Sequence, residues 1–361
     1  MAVDGQDAPA ARHRAVGLAA RRGPDPMSAG TFEGYRPLLF SVAYRVLGSA
    51  ADAEDAVQDA WVRWSAVDRS GVGEVKAYLV RIVTNLAMDR LRAARSRRES
   101  YPGPWLPEPI ITESPKPGEL ADSVSTALLL LLENLSPLER AVFVLREAFG
   151  FSHAEIAVAV GRSEDTVRQA AYRARSRVRA RRPRTLVDRG RHRAVTERFL
   201  AAAGGGDINV LMEMLAPDVT LWTDGGGKVR QAFHPVTGAG RVAAWFTGLG
   251  SRAYQGVSPA EMSAEITTLN GAAGILLLGG GRVLATLTLD LAADGRIAAI
   301  HNVANPEKLR AVATGAVHPV SVSSEQAQAS VGVSGEQAQA PVGRDGLAVD
   351  VTGALAREED Q

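Results

Sequence analysis

Residues 222–231 read WTDGGGKVRQ, an acid and a lysine closing a run of three glycines. Glycines ahead of a lysine are the material of a phosphate cradle, in which backbone amides and an ammonium share one anion. That motif needs a glycine six residues before the lysine and Ser or Thr after it, and Trp222 and Val229 occupy those places. What remains is a tight turn, Gly225, Gly226 and Gly227, with opposite charges on Asp224 and Lys228 and a backbone that another surface can approach closely. A plain glycine-rich hairpin is the alternative. Arginine outnumbers lysine 37 to 4, yet NPEKL at 305–309 also carries a lysine, Lys308, whose compact ammonium fits where a planar guanidinium would not. Trp222, Asp224, His234, Trp245, His301 and Asn302 are the residues from which an acid/base pocket would be drawn. The six histidines have no paired-ligand spacing and the chain has no cysteine, so no metal and no cofactor is expected.

A second set of residues suits nucleic acid. Residues 162–193 hold twelve arginines against three acids, while 52–59 hold four acids and no base, so the net charge of +1 conceals two surfaces that need different partners. In EDTVRQAAYRARSRVRAR, Val167, Ala170, Ala171, Ala174 and Val178 form an apolar stripe and leave Thr166, Arg168, Gln169, Tyr172, Arg173 and Arg175 for other faces. Arg and Gln pair bidentately with guanine and adenine edges; Arg177, Arg179, Arg181 and Arg182 suit phosphates. A solvated basic face on an ordinary bundle is the plainer reading.

The elements that must position these groups can be read from punctuation. Ser136-Pro137-Leu138-Glu139 and Ser152-His153-Ala154-Glu155 are capping boxes, and Ser163 precedes Glu164 and Asp165 at a third helix start. Gly161 takes the positive φ that ends the helix before the last, which predicts a helix-turn-helix. Upstream, Leu39, Val42, Ala43 and Val46, then Val75, Leu79, Ile82, Val83 and Leu86, fall at helical spacing. The helix VKAYLVRIVTNLAMDRLRAARSRR carries seven basic residues against one acid, as a surface that tracks a nucleic-acid backbone would. Six prolines in 101–119 interrupt helix and predict a stiff linker. From about Gly190 the texture changes: one amphipathic helix over HRAVTERFLAAAGGGDINVLMEML, then short β-type runs. After Thr314 the chain is Ser/Gln/Gly/Ala/Val-rich, with EQAQA at 325–329 repeated at 336–340. No apolar run approaches the roughly 18 residues that span a membrane, and a cytoplasmic location is expected.

DAEDAVQDAW, AYLVRIVTNLAMDRLR and SPLERAVFVLREAFGFSHAEIAVAVGRSEDTV, in that order, resemble the extracytoplasmic-function sigma factors, initiation subunits of bacterial RNA polymerase. WLPEP at 105–109, DGGGK at 224–228 and NPEKL, similar to NPDKL, resemble the ECF41 subfamily with a fused SnoaL-like extension of the NTF2-like cone fold. The resemblance implies a multidomain chain: two all-α sigma domains followed by an α+β SnoaL-like domain. The expected boundaries are a disordered extension at 1–27, region 2 at 28–100, the Pro-rich linker at 101–120, region 4 at 121–187, the SnoaL-like domain at 190–313 and a disordered tail at 314–361. It also implies core RNA polymerase as partner, through its β′ clamp helices and β flap, with Asp52, Glu54, Asp55 and Gln58 on the docking surface. Promoter DNA is the other partner, with Tyr78, Arg81, Asn85, Asp89, Arg90 and Arg92 at the −10 element and the Thr166–Arg175 set at the −35 element. Relatives often carry a larger polar or basic residue where this chain has Ala170 and Ala171, so their −35 preference does not transfer.

A regulatory contact is expected in which Asp224 to Lys228 and Asn305, Pro306, Glu307, Lys308 and Leu309 engage Trp105, Leu106 and Pro107 of the linker or the neighbouring sigma domains. Three alternatives stand beside this non-enzymatic reading. They are a small-molecule ligand in the SnoaL-like pocket, hydrolase or cyclase activity retained there, and a helix-turn-helix repressor that never meets polymerase.

Overall fold

A computed structural model describes residues 26–68, 71–113, 125–181, 188–250, 252–318 and 349–350. Helices α1 (Pro26–Leu47), α2 (Ala50–Ser65) and α3 (Val75–Glu99) form the first bundle. Its interior is the helical-period set read above, with Leu39, Val42, Val57, Leu79 and Val83 fully buried around Trp64. Ser49 caps α2 by accepting from the Asp52 amide at 3.1 Å.

Helices α4 (Thr126–Leu132), α5 (Pro137–Phe143), α6 (His153–Val160) and α7 (Glu164–Arg181) make the second bundle, with one π-helical turn at Val144–Ala148 after α5. Both capping boxes are formed, at Ser136/Glu139 and Ser152/Glu155, and Gly161 ends α6 at φ +64. Val167, Ala170, Ala171, Ala174 and Val178 are buried, so Ala170 and Ala171 face the core and take no part in the face available to DNA. The two bundles share one continuous apolar core.

The third unit begins with α8 (Arg189–Gly204) and α9 (Ile208–Met214). The expected single helix is broken because Gly206 takes φ +69 and the Asp207 carboxylate caps a new start at Asn209 and Val210. Strands β2 (Leu215–Asp224), β3 (Val236–Thr237), β4 (Met262–Leu269), β5 (Ala272–Gly279), β6 (Arg282–Leu291), β7 (Ile297–Val303) and β8 (Val317–His318) follow, with α10 (Ala239–Gly250) after β3 and α11 (Arg310–Ala313) before β8. Strands β4 to β7 are an antiparallel meander and β2 lies parallel to β7, giving the order β3-β2-β7-β6-β5-β4. Phe199 of α8 and Val242 and Phe246 of α10 pack over Ile275 and Ile300 on one face of the sheet.

The linker is not a free spacer. Its strand β1 (Ile111–Thr112) extends the sheet, pairing with β4 at Ile111↔Leu269 and with β8 at Ile111↔Val317. Val317 and His318, within the tail expected to be disordered from 314, therefore complete the sheet edge. Residues 1–25, 319–348 and 351–361 lie outside the described residues, and with them most of the expected extension and tail.

Candidate functional site

The three glycines of 225–227 are demanded by contact. Gly226 and Gly227 have φ of +59 and +71, and a Cβ on them would lie 2.2 Å from Asn305 Nδ2 and 2.9 Å from Pro102 Cγ. This lets the loop close against both NPEKL and the linker. Asp224, completely buried, accepts from the Tyr101 hydroxyl at 2.5 Å, the Leu106 amide at 2.8 Å, Lys308 Nζ at 2.7 Å and the Gly226 amide at 3.1 Å. Its backbone carbonyl accepts from the Ala304 and Asn305 amides. Lys308 also donates to the Leu106 carbonyl at 2.6 Å and sits 4.0 Å from the Trp105 ring centroid and 4.8 Å from that of Tyr101. Burial pushes its pKa down to about 8 against the pull of the Asp224 carboxylate, and burial with the Asp224 hydrogen bond pushes Tyr101 up. Asn305 Nδ2 donates to the Tyr101 hydroxyl at 3.0 Å, while Leu309 and Leu106 share a small apolar cluster. Lys228 and Glu307 form an exposed ion pair, and Pro306 is exposed. We call this arrangement the clasp.

The linker's other side carries contacts beyond the residues named for the regulatory contact, beginning with Glu108 of the WLPEP stretch. Glu108 accepts from Ser49 Oγ at 2.8 Å and from the Ala50 and Ala51 amides at 2.8 and 3.2 Å, satisfying the N-terminus of α2. The Tyr44 hydroxyl donates to the Glu108 carbonyl at 2.7 Å and accepts from Asn270, which sits at φ +51 in the β4–β5 turn. Asn270 also exchanges hydrogen bonds with the Ile110 backbone. Around Trp105, Arg98 of α3 stacks at 3.7 Å, and Arg98 and Arg140 of α5 share Glu133. Leu130 of α4 packs against the apolar cluster that holds Leu106, so all three units meet on residues 101–112.

The acidic set lies along one side of α2. Asp55 and Gln58 are exposed, Asp52 and Glu54 are half-buried, and Glu54 pairs with Arg36 at 2.6 Å. On α3, Arg81 and Asp89 are exposed, Arg90 pairs with Asp59, Arg92 with Asp89, and Tyr78 packs by Trp64. Asn85 is not free: its Nδ2 donates to the Ala159 carbonyl of α6 at 2.9 Å. On α7, Gln169 and Tyr172 are exposed and Thr166 hydrogen-bonds Ser163. Arg168 pairs with Glu164, Arg173 with Glu139 and Arg175 with Glu147. Arg177 shares Glu139, and the side chains of Arg181 and Arg182 lie outside the described residues.

The candidate pocket residues separate. A cavity of about 80 Å³ lies between α8, α10 and the sheet, and of the six only Trp245 and Asn302 line it. Trp222 and Asp224 pair with His301 and Val303 in register, and alternation sends them to the sheet face opposite Asn302. His301 pairs with Asp290 at 2.9 Å on that other face, and His234 is exposed. Among the described residues no carboxylate or histidine lines the cavity, so the residues of the acid/base alternative are not brought together there.

A three-helix bundle joined by a clasped linker to a helix-turn-helix bundle defines a sigma-type chain. Residues 31–97 match the Sigma-70 region 2 family and residues 125–178 match Sigma-70, region 4. The ECF RNA polymerase sigma factor SigJ of Mycobacterium tuberculosis is 38% identical over 291 residues, 78% of this chain and 93% of the relative. The crystal structure of that SigJ matches with a TM-score of 0.62 at 33% identity, over 78% of this chain and 98% of the other. The probable ECF RNA polymerase sigma factor SigI of the same species is 35% identical over 200 residues, 54% of this chain and 69% of the relative. The chain belongs to the ECF RNA polymerase sigma factors.

Proposed function

We propose that the chain binds core RNA polymerase and directs initiation at specific promoters, and that its own third unit restrains it. In this reading the α2 acids dock the polymerase, α3 handles the −10 element and α7 reads the −35 element. The β′ clamp helices and β flap are the polymerase surfaces, and the site of action is the cytoplasm. The observation that carries the restraint is the Asn85–Ala159 hydrogen bond: at Asn85 the α3 face assigned to the −10 element meets the first helix of the helix-turn-helix, while Arg81 and Asp89 stay exposed. Two bundles packed on one apolar core cannot serve promoter elements separated along a duplex, so in this reading initiation requires them to part. The linker that would let them part is gripped at Leu106 by Asp224 and Lys308. No catalytic role is assigned to any residue.

The test is capture of core polymerase by the full chain and by a variant with Asp52→Lys and Asp55→Lys. Capture by the wild type and its loss in the variant, with thermal stability retained, is the expected result. Failure of the wild type to bind would favour a repressor independent of polymerase.

A further inference from the structure

The chain does not leave the molecule after NPEKL. Helix α11 places Ala311 against the core shared by the two helical bundles and Val312 in the apolar cluster of Leu106 and Leu309. Gly315, at φ +66, turns the chain, and the Ala316 amide donates to Thr314 Oγ1 at 3.3 Å. Strand β8 then runs parallel to β1 of the linker through two register pairs, Ile111↔Val317 and Thr112↔His318. Val317 is 54% exposed, so it buries little apolar surface. A strand this short is marginal by its ladder alone and depends on what its side chains touch.

His318 supplies that hold. Its ring stacks on Phe40 of α1 with centroids 4.5 Å apart and planes 15° from parallel, and Phe40 carries the stack on to Tyr44 at 6.0 Å. Phe40 is only 4% exposed. The Tyr44 hydroxyl meets Glu108 and Asn270, so the stack reaches the far side of the linker without using Asp224 or Lys308. Burial in this contact pushes the imidazole pKa down, against the pull of the Glu54 carboxylate on α2. Glu54 in turn pairs with Arg36 of α1 at 2.6 Å.

Glu54 belongs to the acidic set that the initiation reading assigns to polymerase. The last strand of the third unit therefore reaches the border of that set, on the bundle that would receive the polymerase.

We propose that β8 is a second latch, separate from the clasp, whose His318–Phe40 stack ties the third unit to α1, and that core polymerase competes with it for the α1–α2 face around Glu54. The competition rests on the reading that the α2 acids dock polymerase; the latch does not. A partner opens such an element only by preferring the open state, and here opening takes the imidazole away from Glu54 and from the Phe40 ring.

Hydrogen exchange and polymerase titration on the full chain, His318→Ala and His318→Phe test both halves. Loss of an aromatic pair predicts about 3- to 10-fold faster exchange over residues 314–318 in His318→Ala. His318→Phe keeps a ring and should exchange as the wild type does, and the Leu106 amide should keep its rate in both variants. His318→Ala should also bind core polymerase about 3- to 10-fold more tightly, because the cost of opening the latch is removed, while His318→Phe should bind as the wild type does. Unchanged exchange in His318→Ala, or equally fast exchange in His318→Phe, would overturn the latch. Faster exchange with unchanged polymerase affinity would overturn the competition. Failure of the wild type to bind polymerase would overturn the initiation reading, and the competition with it, and leave the exchange result standing.

Discussion

Replacing Lys308 with methionine tests the clasp at its most buried charge. Lys308 is 6% exposed and Asp224 0% exposed, so neither group has water to fall back on. Methionine keeps most of the stem and costs little in packing. What is lost is the ammonium between Asp224, at 2.7 Å, and the Leu106 carbonyl, at 2.6 Å. Removing one partner of a buried ion pair costs about 3–5 kcal/mol. Three other donors stay on Asp224, namely Tyr101 and the amides of Leu106 and Gly226, which places the effect near the lower end, about 3 kcal/mol. At about 1.4 kcal/mol per decade this lowers the population of the clasped state about a hundredfold. Hydrogen exchange at the Leu106 amide, which donates to Asp224, should accelerate by about that factor while amides of α2 and α7 keep their rates. Combining Asp224→Asn with Lys308→Met removes both charges and should restore most of the protection, because a neutral pair leaves no buried ion unmatched. Unchanged Leu106 exchange in the single variant would refute the assignment of the pair as the grip on the linker.

Gly226→Ala forces a Cβ to within 2.2 Å of Asn305 Nδ2 at φ +59 and should cost about 3 kcal/mol or more in thermal denaturation, whereas Gly161→Ala, at φ +64 with open space around it, should cost only about 1–2 kcal/mol. Arg168→Ala, on an exposed part of α7, should weaken promoter binding by about 1–3 kcal/mol and relax preference at one base pair, while Arg179→Ala should weaken all sequences alike and reduce the salt dependence in a binding titration. Glu155 is held below its ordinary carboxyl range by the Ser152 hydroxyl and amide. The unfolded chain therefore takes up that proton first, so the contribution is full above about pH 4.5 and is lost as pH falls through the lower folded value. Glu155→Gln should flatten that part of the acid-denaturation curve.

Local features were legible because they are written within a few residues. Ser136/Glu139, Ser152/Glu155 and Gly161 fix helix ends through hydrogen bonds spanning three or four positions, and the structure forms each of them. The clasp motifs showed through glycines and lysines out of keeping with an arginine-rich chain, and Asp224 and Lys308 do meet Leu106. Lys228 does not join that buried pair; it forms an exposed bridge to Glu307. Tyr101, Asn270 and the role of Glu108, which stood inside the WLPEP stretch, were missed because their partners lie 123, 226 and 59 residues away and leave no periodic trace. The Asn270-Gly271 dipeptide was the one usable signal, since it favours a tight hairpin turn. Grouping Trp222, Asp224 and His301 with Asn302 failed on strand parity: register, which sequence does not supply, puts them on opposite faces.

Transcription by core polymerase from a promoter recognised by this factor, compared between the wild-type chain and Lys308→Met at equal polymerase occupancy, tests the central claim most directly. A restraining clasp predicts greater output from the variant. Equal or lower output would contradict it.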